Sequence, residues 1–393
     1  MTRHVMDSVP APIRFRVSTN LRFGAGEAAR LGDEMKELGW ANPAAVLDSG
    51  VARHPLILGA LESVRAAGLP LEVFETNLPE PTYDYLEEFR GRLARKGFDG
   101  IIGIGGGSAM DLAKGLAVLM TNEGPALSFR GFPKLQNRPL PVVAIPTTAG
   151  TGSEVTYNAV FTDSHAKKKL GINTLLNFPV CAIIDPLVTL DCPRSVTVSS
   201  GVDALVHTLE SYVHRAHTPV SRPLSIEAFR LLYNGLWRVL ESPRDVAIRG
   251  NLALGAYFAG TALMNSGSGP TGAFSYPLGA VYDVPHGYAG AAFLPTITRH
   301  NVAKGYQDYA ALYDLIDGAD KSLTAAEKNH RFADAIQALM DRLGVPKSLS
   351  HYKLGPTDIE FMIDQYDVLK AGIAQNPIEI TKDDVRVMMR ALA

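Results

Sequence analysis

Residues 101–114 read Ile101-Ile102-Gly103-Ile104-Gly105-Gly106-Gly107-Ser108-Ala109-Met110-Asp111-Leu112-Ala113-Lys114. An apolar run typical of a buried strand leads into three consecutive glycines, and a helical pattern follows at once. Glycines let backbone N–H groups approach a ligand without obstruction by Cβ, and the amino end of a helix favours an anion. The stretch matches neither G-x-G-x-x-G nor a P-loop. It predicts a strand–turn–helix unit that binds a phosphate group, although a glycine turn in this position can also be purely structural.

A second turn rich in glycine and hydroxyl groups supports the ligand-binding interpretation. It follows another apolar run and reads Pro146-Thr147-Thr148-Ala149-Gly150-Thr151-Gly152-Ser153-Glu154. Open α/β folds bind ligands at the carboxyl edge of the sheet, so two such turns on neighbouring strands predict one shared nucleotide site. Asp48 ends an earlier apolar run. Its carboxylate either accepts hydrogen bonds from an adenine ribose, which favours NAD over NADP, or only forms a turn.

Strand-like and helical patterns alternate in the first half, which predicts a parallel sheet covered on both faces. The predicted strands are 44–48, 71–74, 100–104, 142–145 and 180–184, and helices are predicted at 27–38 and 83–95. Only helical patterns follow, at 202–214, 225–240, 246–264, 309–315 and 333–343. A Ser/Thr-rich run, 195–200, leads into the first of these helices, which is expected to begin near Gly201. We predict an α/β domain over 1–192 and a helical domain over 193–393.

Composition limits the class of protein. A chain of 393 residues suggests two domains, and a net charge of −2 gives no reason to expect nucleic acid as a partner. No apolar run is long enough for a membrane span, and the first residues do not resemble a secretory signal, so we expect a cytoplasmic protein. The cysteines, Cys181 and Cys192, lack C-x-x-C spacing, which argues against a thiolate zinc site. The basic run 167–169 is expected to be a solvated turn or strand edge.

A carboxylate and two histidines in the second half form a candidate metal site. Asp203 and His207 are spaced i and i+4, so both side chains leave one helix face. Such a pair alone is weak evidence, because most are surface hydrogen bonds or core histidines. His286 strengthens it, since this histidine lies between Pro285 and Gly287 in an otherwise apolar stretch. Three protein ligands with one open position are typical of catalytic metal sites, where His286 would also take part in catalysis.

Taken together, these motifs resemble those of the iron-containing (group III) alcohol dehydrogenases, whose fold is related to dehydroquinate synthase. The resemblance spans residues 15–390, and its matching stretches are 105–114, 146–154, 203–210 and 277–287, with a family-like loop at Pro79-Glu80-Pro81-Thr82. It implies a Rossmann-like α/β nucleotide-binding domain followed by an all-α domain. It also implies NAD(P) in the cleft between the two and a divalent metal, iron or zinc, on the helical side.

The resemblance assigns roles to particular residues. It implies that the nucleotide is bound by the first loop at its pyrophosphate and by the second loop along its length, with further residues close by: Gly105, Gly106, Gly107 and Ser108; Thr147, Thr148 and Ser153; Pro79, Asp111 and Lys114. It matches Asp203, His207 and His286 as metal ligands.

The chain departs from the family at two positions. The family pattern H-x-x-x-H ahead of the last histidine becomes Gly272 at the ligand position and Tyr276 at the second histidine. Glycine offers no ligand atom, so metal affinity should fall, and a metal-free site like that attributed to maleylacetate reductases remains an alternative. Tyr276 has a phenol with an ordinary pKa of about 10. It either donates a hydrogen bond to a substrate oxygen or fills the pocket wall.

We therefore expect an NAD-dependent, metal-dependent alcohol dehydrogenase or aldehyde reductase, with NADP less favoured. The two replacements favour a specialised substrate, and family branches that act on a sugar acid and on phosphonoacetaldehyde make an anionic substrate a candidate. Two alternatives stay open. One is a lyase or cyclase of the dehydroquinate synthase type that uses NAD transiently, and the other is a metal-free protein, either a reductase or a nucleotide binder without turnover. The family also implies a homodimer or larger homo-oligomer.

Overall fold

The computed structural model describes residues 12–77 and 80–393. Its first half is built on one six-stranded sheet in which every neighbouring pair of strands is parallel. In chain order the strands of this sheet are β1 (Asn20–Phe23), β2 (Pro43–Asp48), β3 (Glu72–Thr76), β4 (Gly100–Gly105), β5 (Val142–Pro146) and β10 (Cys181–Ile184). Their spatial order is β1-β10-β5-β4-β2-β3, so the two strands that carry the glycine turns, β4 and β5, are neighbours in the middle of the sheet.

Helices cover both faces of this sheet. They are α1 (Leu31–Glu37), α2 (Pro55–Ala66), α3 (Tyr83–Leu93) and α4 (Gly107–Leu119). One apolar core contains Phe89 and Leu116 from α3 and α4, and the other contains Leu31 and Ile57 from α1 and α2. Because both faces of the sheet are buried, its central strands are almost continuously apolar.

Two short antiparallel ribbons lie between β5 and β10 in the sequence. One pairs β6 (Asn158–Ala159) with β9 (Ile172–Asn173), and the other pairs β7 (Thr162–Asp163) with β8 (Lys168–Lys169). The second ribbon matters for the site, because β8 contacts the helical half of the protein.

The second half is helical throughout its described length. Its helices are α5 (Arg194–Val213), α6 (Ser221–Val239), α7 (Val246–Ser266), α8 (Pro270–Tyr282), α9 (His286–Ala303), α10 (Tyr309–Tyr313), α11 (Ala325–Leu343), α12 (Pro356–Ile373) and α13 (Lys382–Leu392). Helices α5, α6, α7, α9 and α11 share one core, and α8, α9, α12 and α13 share another. Within residues 12–77 and 80–393, no helix combines the length and apolar character that crossing a bilayer requires.

The structure corrects several details of the sequence-based prediction. Helix α11 begins at Ala325 instead of residue 333, and helices α8, α9, α12 and α13 were not predicted. The first helix of the second half begins at Arg194 instead of near Gly201, because the Ser/Thr-rich run is itself helical and the Ser200 hydroxyl bonds back to the carbonyl of Val196 at 2.7 Å. The helix predicted at 27–38 is a 3-10 turn, Glu27–Arg30, followed by α1. The edge strand β1 was not predicted at all.

Candidate active site at the junction of the two halves

The first glycine loop joins β4 to α4 and brings Asp48 beside it. Gly105 has a φ of +147°, and a Cβ atom there would lie 2.6 Å from the Cβ of Asp48, so only glycine fits. The Asp48 carboxylate accepts the N–H of Gly50 at 2.8 Å, as the turn-forming interpretation predicts, and its role at the ribose stays a prediction. Gly106, Gly107 and Ser108 are partly exposed at the start of α4, where backbone N–H groups can face an anion. Pro79, also predicted near the nucleotide, lies outside the described residues.

The second loop leaves β5 directly beside the first. Thr147 donates its backbone N–H to the carbonyl of Gly105 at 2.9 Å, and a Cβ atom on Gly107 would lie 2.6 Å from Thr151 Cγ2. Thr147 is buried, whereas Thr148 is partly exposed and lies next to Gly106. The structure therefore brings the two predicted loops to one edge of the sheet, as the sequence indicated.

The second loop also contacts the helix that carries Asp203 and His207. A Cβ atom on Gly150 would lie 2.6 Å from the Cβ of Ser200, which precedes Asp203 by three residues on α5. Such a close approach leaves no room for a side chain at position 150. The nucleotide loop and the metal-site helix are therefore in direct van der Waals contact.

Asp111 and Lys114 hold the second loop from behind. The side chain of Lys114 is fully buried, and its ammonium lies 3.1 Å from the Asp111 carboxylate. The ammonium donates hydrogen bonds to the carbonyls of Ser153, Thr156 and Asn158. The Asp111 carboxylate also accepts the hydroxyl of Ser153 at 2.5 Å. Burial lowers the pKa of Lys114, and the Asp111 carboxylate opposes that shift. These contacts tie Lys114 and Ser153 to Asp111 and to the backbone of the loop, and their roles at the nucleotide stay predictions.

The candidate metal ligands converge from two helices. The ligand atoms of Asp203 and His207, on α5, and His286, the first residue of α9, all lie within 4.8 Å of one another. Both Nε2 atoms are 3.7 Å from Asp203 Oδ1, which is too long for a hydrogen bond. Among the described residues, the buried Nδ1 of His207 has no hydrogen-bond partner. Desolvation lowers the pKa of His286, which favours the neutral imidazole that a metal needs. The donor set fits a divalent metal.

Helix α8 carries Gly272 and Tyr276 one turn apart, and Tyr276 lies beside His286 of the triad. The backbone N–H of Gly272 donates to Glu210, a residue of α5 one turn beyond His207, at 2.9 Å. The same carboxylate accepts the N–H of Gly269 and the hydroxyl of Ser268, so it caps the amino end of α8. Glu210 was not assigned a role from the sequence, although its spacing of i+3 from His207 placed it near the same helix face.

Tyr276 lies beside the triad on the side of the nucleotide loops. Its ring centroid is 5.8 Å from that of His286, and 38 % of its surface is exposed. Desolvation raises the pKa of Tyr276, and the carboxylates of Asp203, Glu210 and Asp111 raise it further. Two of these carboxylates, Asp203 and Glu210, are on α5, and Asp111 is on α4. Its phenol stays protonated at neutral pH.

The prediction for the basic run 167–169 was wrong in one residue. Lys167 and Lys168 are exposed, as expected, but the side chain of Lys169 is only 6 % exposed and lies 2.6 Å from the Glu80 carboxylate. Its ammonium would lie 3.1 Å from a Cβ atom on Gly279, in α8, and its charge lowers the pKa of His286. Tertiary contact between β8 and α8 buries this lysine, and nothing in the local sequence pattern indicates that contact.

Known proteins match this chain over nearly its whole length. The profile described as iron-containing alcohol dehydrogenase matches residues 18–186, and the profile of the C-terminal part of the same family matches residues 197–393. The chain belongs to the iron-containing alcohol dehydrogenase family. A 1,3-propanediol dehydrogenase from Citrobacter freundii is 31 % identical over 375 residues, which cover 94 % of this chain and 95 % of that protein.

Solved structures of the family superpose closely on this fold. The crystal structure of a 1,3-propanediol oxidoreductase has a TM-score of 0.90 at 28 % identity and covers 98 % of this chain and 100 % of its own. The sulfoacetaldehyde reductase from Bifidobacterium kashiwanohense, solved in complex with NAD+, has a TM-score of 0.87 at 26 % identity, with 98 % and 99 % coverage.

Family membership confirms several predictions. The fold is a Rossmann-like α/β half followed by an all-α half, and the protein is an oxidoreductase of the alcohol dehydrogenase and aldehyde reductase class, whose substrates are small alcohols and aldehydes. The expected cofactor classes, NAD and a divalent metal, are those of the family, and the metal in the family description is iron. The roles of individual residues and the domain boundary at 192/193 stay predictions.

Proposed function

We propose that this protein is an NAD-dependent, metal-dependent alcohol dehydrogenase or aldehyde reductase. In this proposal the nucleotide binds along the two loops at the carboxyl edge of the sheet, and Asp203, His207 and His286 hold the metal. The contact between Gly150 and Ser200 carries the proposal, because it joins the nucleotide loop to the helix that bears two of the three metal ligands. A hydride acceptor and an activated alcohol would thus meet at this junction. We further propose a cytoplasmic homo-oligomer, with iron or zinc as the metal.

The residues of the site supply orientation and proton control. A divalent metal held by Asp203, His207 and His286 supplies a Lewis acid that lowers the pKa of an alcohol hydroxyl. Bound NAD would supply the hydride acceptor, and the backbone N–H groups of Gly106, Gly107 and Ser108 would hold its pyrophosphate.

Tyr276 is the proposed proton donor in the direction of carbonyl reduction. Its raised pKa keeps the phenol protonated, and the 5.8 Å between its ring and that of His286 supports a role for its hydroxyl at the reacting oxygen. In the direction of alcohol oxidation, the same hydroxyl accepts a hydrogen bond from the alcohol and relays the proton to water.

The substrate in this proposal is specialised, with anionic aldehydes or alcohols of the sugar-acid or phosphonate type as candidates. The buried ammonium of Lys169 lies near enough to His286 for its charge to lower the pKa of that histidine. The relative that reduces sulfoacetaldehyde acts on an anionic aldehyde, which supports this class. The pairing of Lys169 with Glu80 would have to loosen or reorient for a substrate anion to share the ammonium.

Metal content and cofactor reduction test the proposal together. We would purify the protein without oxygen and measure iron and zinc in the wild type, in His207→Ala and in His330→Ala, whose exposed histidine on α11 lies outside the triad. NADH formation would be followed on a panel of alcohols with each preparation. Near-stoichiometric metal and NADH formation in the wild type and in His330→Ala, with loss of both in His207→Ala, are expected.

Two results would redirect the assignment. NAD-dependent turnover without any metal, even after reconstitution, would refute the Lewis-acid mechanism and favour the metal-free reductase, with Tyr276 as its proton donor. Product formation without net NADH accumulation would favour the lyase or cyclase alternative.

A further inference from the structure

One face of α5 carries four polar side chains in a row. They are Asp203, His207, Glu210 and His214, and their spacing of four, three and four residues places them along a single stripe of the helix. Asp203 and His207, at one end of the stripe, are candidate metal ligands. Glu210 lies one turn further along, has only 4 % of its surface exposed and is not part of that ligand set.

The chain that forms the start of α8 passes along this stripe in the opposite direction. A Cβ atom on Gly267, just ahead of α8, would lie 2.5 Å from His214 Nε2. The next contacts are one turn back on α5, where the backbone N–H groups of Gly269 and Gly272 donate to the Glu210 carboxylate at 2.8 and 2.9 Å. The amino end of α8 is therefore attached to α5 at Glu210.

This attachment brings Tyr276 level with the metal ligands. Asp203 precedes Glu210 by seven residues, which is about 10 Å along a helix. Tyr276 follows Gly269 by seven residues, which is about the same distance in the opposite direction. The rings of Tyr276 and His286 are 5.8 Å apart, and His286 Nε2 is 3.7 Å from Asp203, in agreement with this alignment.

We propose that Glu210 is a positioning residue, which acts on the reaction through Tyr276. Its carboxylate accepts three hydrogen bonds, from the hydroxyl of Ser268 and from the N–H groups of Gly269 and Gly272, so both of its oxygens are occupied. A negative charge at the amino end of a helix also interacts favourably with the helix dipole. Glu210 therefore holds α8 in register with α5 and neither binds the substrate nor carries a proton. This inference rests on the proposed function, because it requires Tyr276 to be the proton donor.

Glu210→Gln tests the inference with little change in side-chain size. It replaces one accepting oxygen by an amide nitrogen that cannot accept, which loosens the attachment of α8. Since misplacing Tyr276 costs no more than removing its hydroxyl, kcat for the reduction of propanal or succinic semialdehyde by NADH should fall about fivefold. The KM for NADH and the metal content should not change. Glu327→Gln, which makes the same exchange at the capped amino end of α11, is the matched control and should keep the wild-type kcat.

The double variant of Glu210→Gln and Tyr276→Phe separates positioning from a purely structural role. If Glu210 acts through Tyr276, the glutamine should leave kcat within about 1.5-fold of that of Tyr276→Phe alone. A general weakening of the fold would instead lower kcat by the same factor in both backgrounds. If Glu210→Gln does not fold, Ser268→Ala takes its place in the same comparison. It removes one of the three donors to Glu210, and kcat should fall about threefold only where Tyr276 is present.

The outcomes distinguish this inference from the proposed function. Equal factors in the two backgrounds, or an unchanged kcat in Glu210→Gln, would overturn the inference while reduction by NADH still supports the proposed dehydrogenase. An unchanged kcat in Tyr276→Phe would overturn the role of Tyr276 and this inference with it, but not the dehydrogenase. A wild type that neither reduces these aldehydes nor oxidises any alcohol of the panel would overturn both.

Discussion

The nucleotide edge, formed by the loops 105–108 and 146–154, and the metal face, formed by Asp203, His207 and His286, are built from different chemical groups. At the nucleotide edge, backbone groups and glycines form the surface. Buried charged groups such as the Lys114 ammonium bind the loop carbonyls from the protein interior. At the metal face, side chains from two helices, far apart in the sequence, converge on one point. The first depends on local backbone shape, and the second depends on how α5, α8 and α9 pack. We therefore expect substitutions at the two regions to affect different observables.

The largest effect is expected at the metal face, from Asp203→Asn. This change keeps the size of the side chain but removes the negative charge that draws a divalent metal, so kcat/KM should fall on the order of a thousandfold. Metal content should fall with it, while the affinity for NAD, measured by quenching of protein fluorescence, should not change. Asp334→Asn, on the exposed face of α11, is the control. A parallel loss of NAD affinity would break the distinction between the two regions.

The next effect concerns how the free energy of unfolding depends on pH through Glu154, a buried residue of the second loop. Burial raises the pKa of Glu154 to about 7, and the Lys114 ammonium only partly opposes this shift. The folded protein therefore favours the protonated acid, which contributes stability below the ordinary pKa of 4.5. That contribution is lost as the pH rises through about 7, and its full size is about 3 kcal/mol.

Glu154→Gln should remove this dependence. The free energy of unfolding, measured with urea between about pH 5 and pH 8, should fall less steeply with pH in the variant than in the wild type. Glu62→Gln, an exposed residue of α2, is the control and should leave the slope unchanged. An identical slope in wild type and Glu154→Gln would show that Glu154 ionises freely and does not stiffen the loop.

A smaller effect is expected from Gly105→Ala, which tests the backbone character of the nucleotide edge. The positive φ and the approach of Asp48 should cost about 2 kcal/mol of stability and weaken NAD binding. Gly59→Ala provides the contrast, because this exposed position in α2 has open space around it and should gain about 1 kcal/mol. Thermal unfolding and NAD titration check both, and a Gly105→Ala protein that binds NAD normally would contradict the proposal for this loop.

The smallest effect is expected where the two regions meet. Tyr276→Phe keeps the ring beside His286 but removes the hydroxyl, so kcat for aldehyde reduction should fall about tenfold, the value of one neutral hydrogen bond in the transition state. The KM for NADH should not change. Tyr282→Phe, at the other end of α8 where its hydroxyl bonds Asp358, is the control. Equal kcat in Tyr276→Phe and the wild type would favour the alternative that Tyr276 only fills the pocket wall.

The comparison also explains what the sequence could and could not predict. The strands under the nucleotide edge were predicted to within two residues at each end, because strand–glycine–helix patterns are local. Asp203 and His207 were paired from helical spacing alone, and His286 joined them through its unusual setting. Lys169 was missed, since its burial arises from a contact between β8 and α8 that sequence patterns do not specify. The start of α5 was misplaced because a Ser/Thr-rich run is a weak helix former whose hydroxyls are satisfied within the helix.

One contact bears on how enzymes of this family can be recombined. In the second nucleotide loop a Cβ atom on Gly152 would lie 2.7 Å from the Cα of Gly260, in the middle of α7, so the two backbones touch with no side chain between them. A chimera that joins the first half of this chain to the second half of a relative would have to retain glycine on both sides of that seam. Where a relative has a larger residue at either position, exchanging the halves would push the loop away from the helices, so these two positions, together with the Gly150–Ser200 contact, guide the choice of partners.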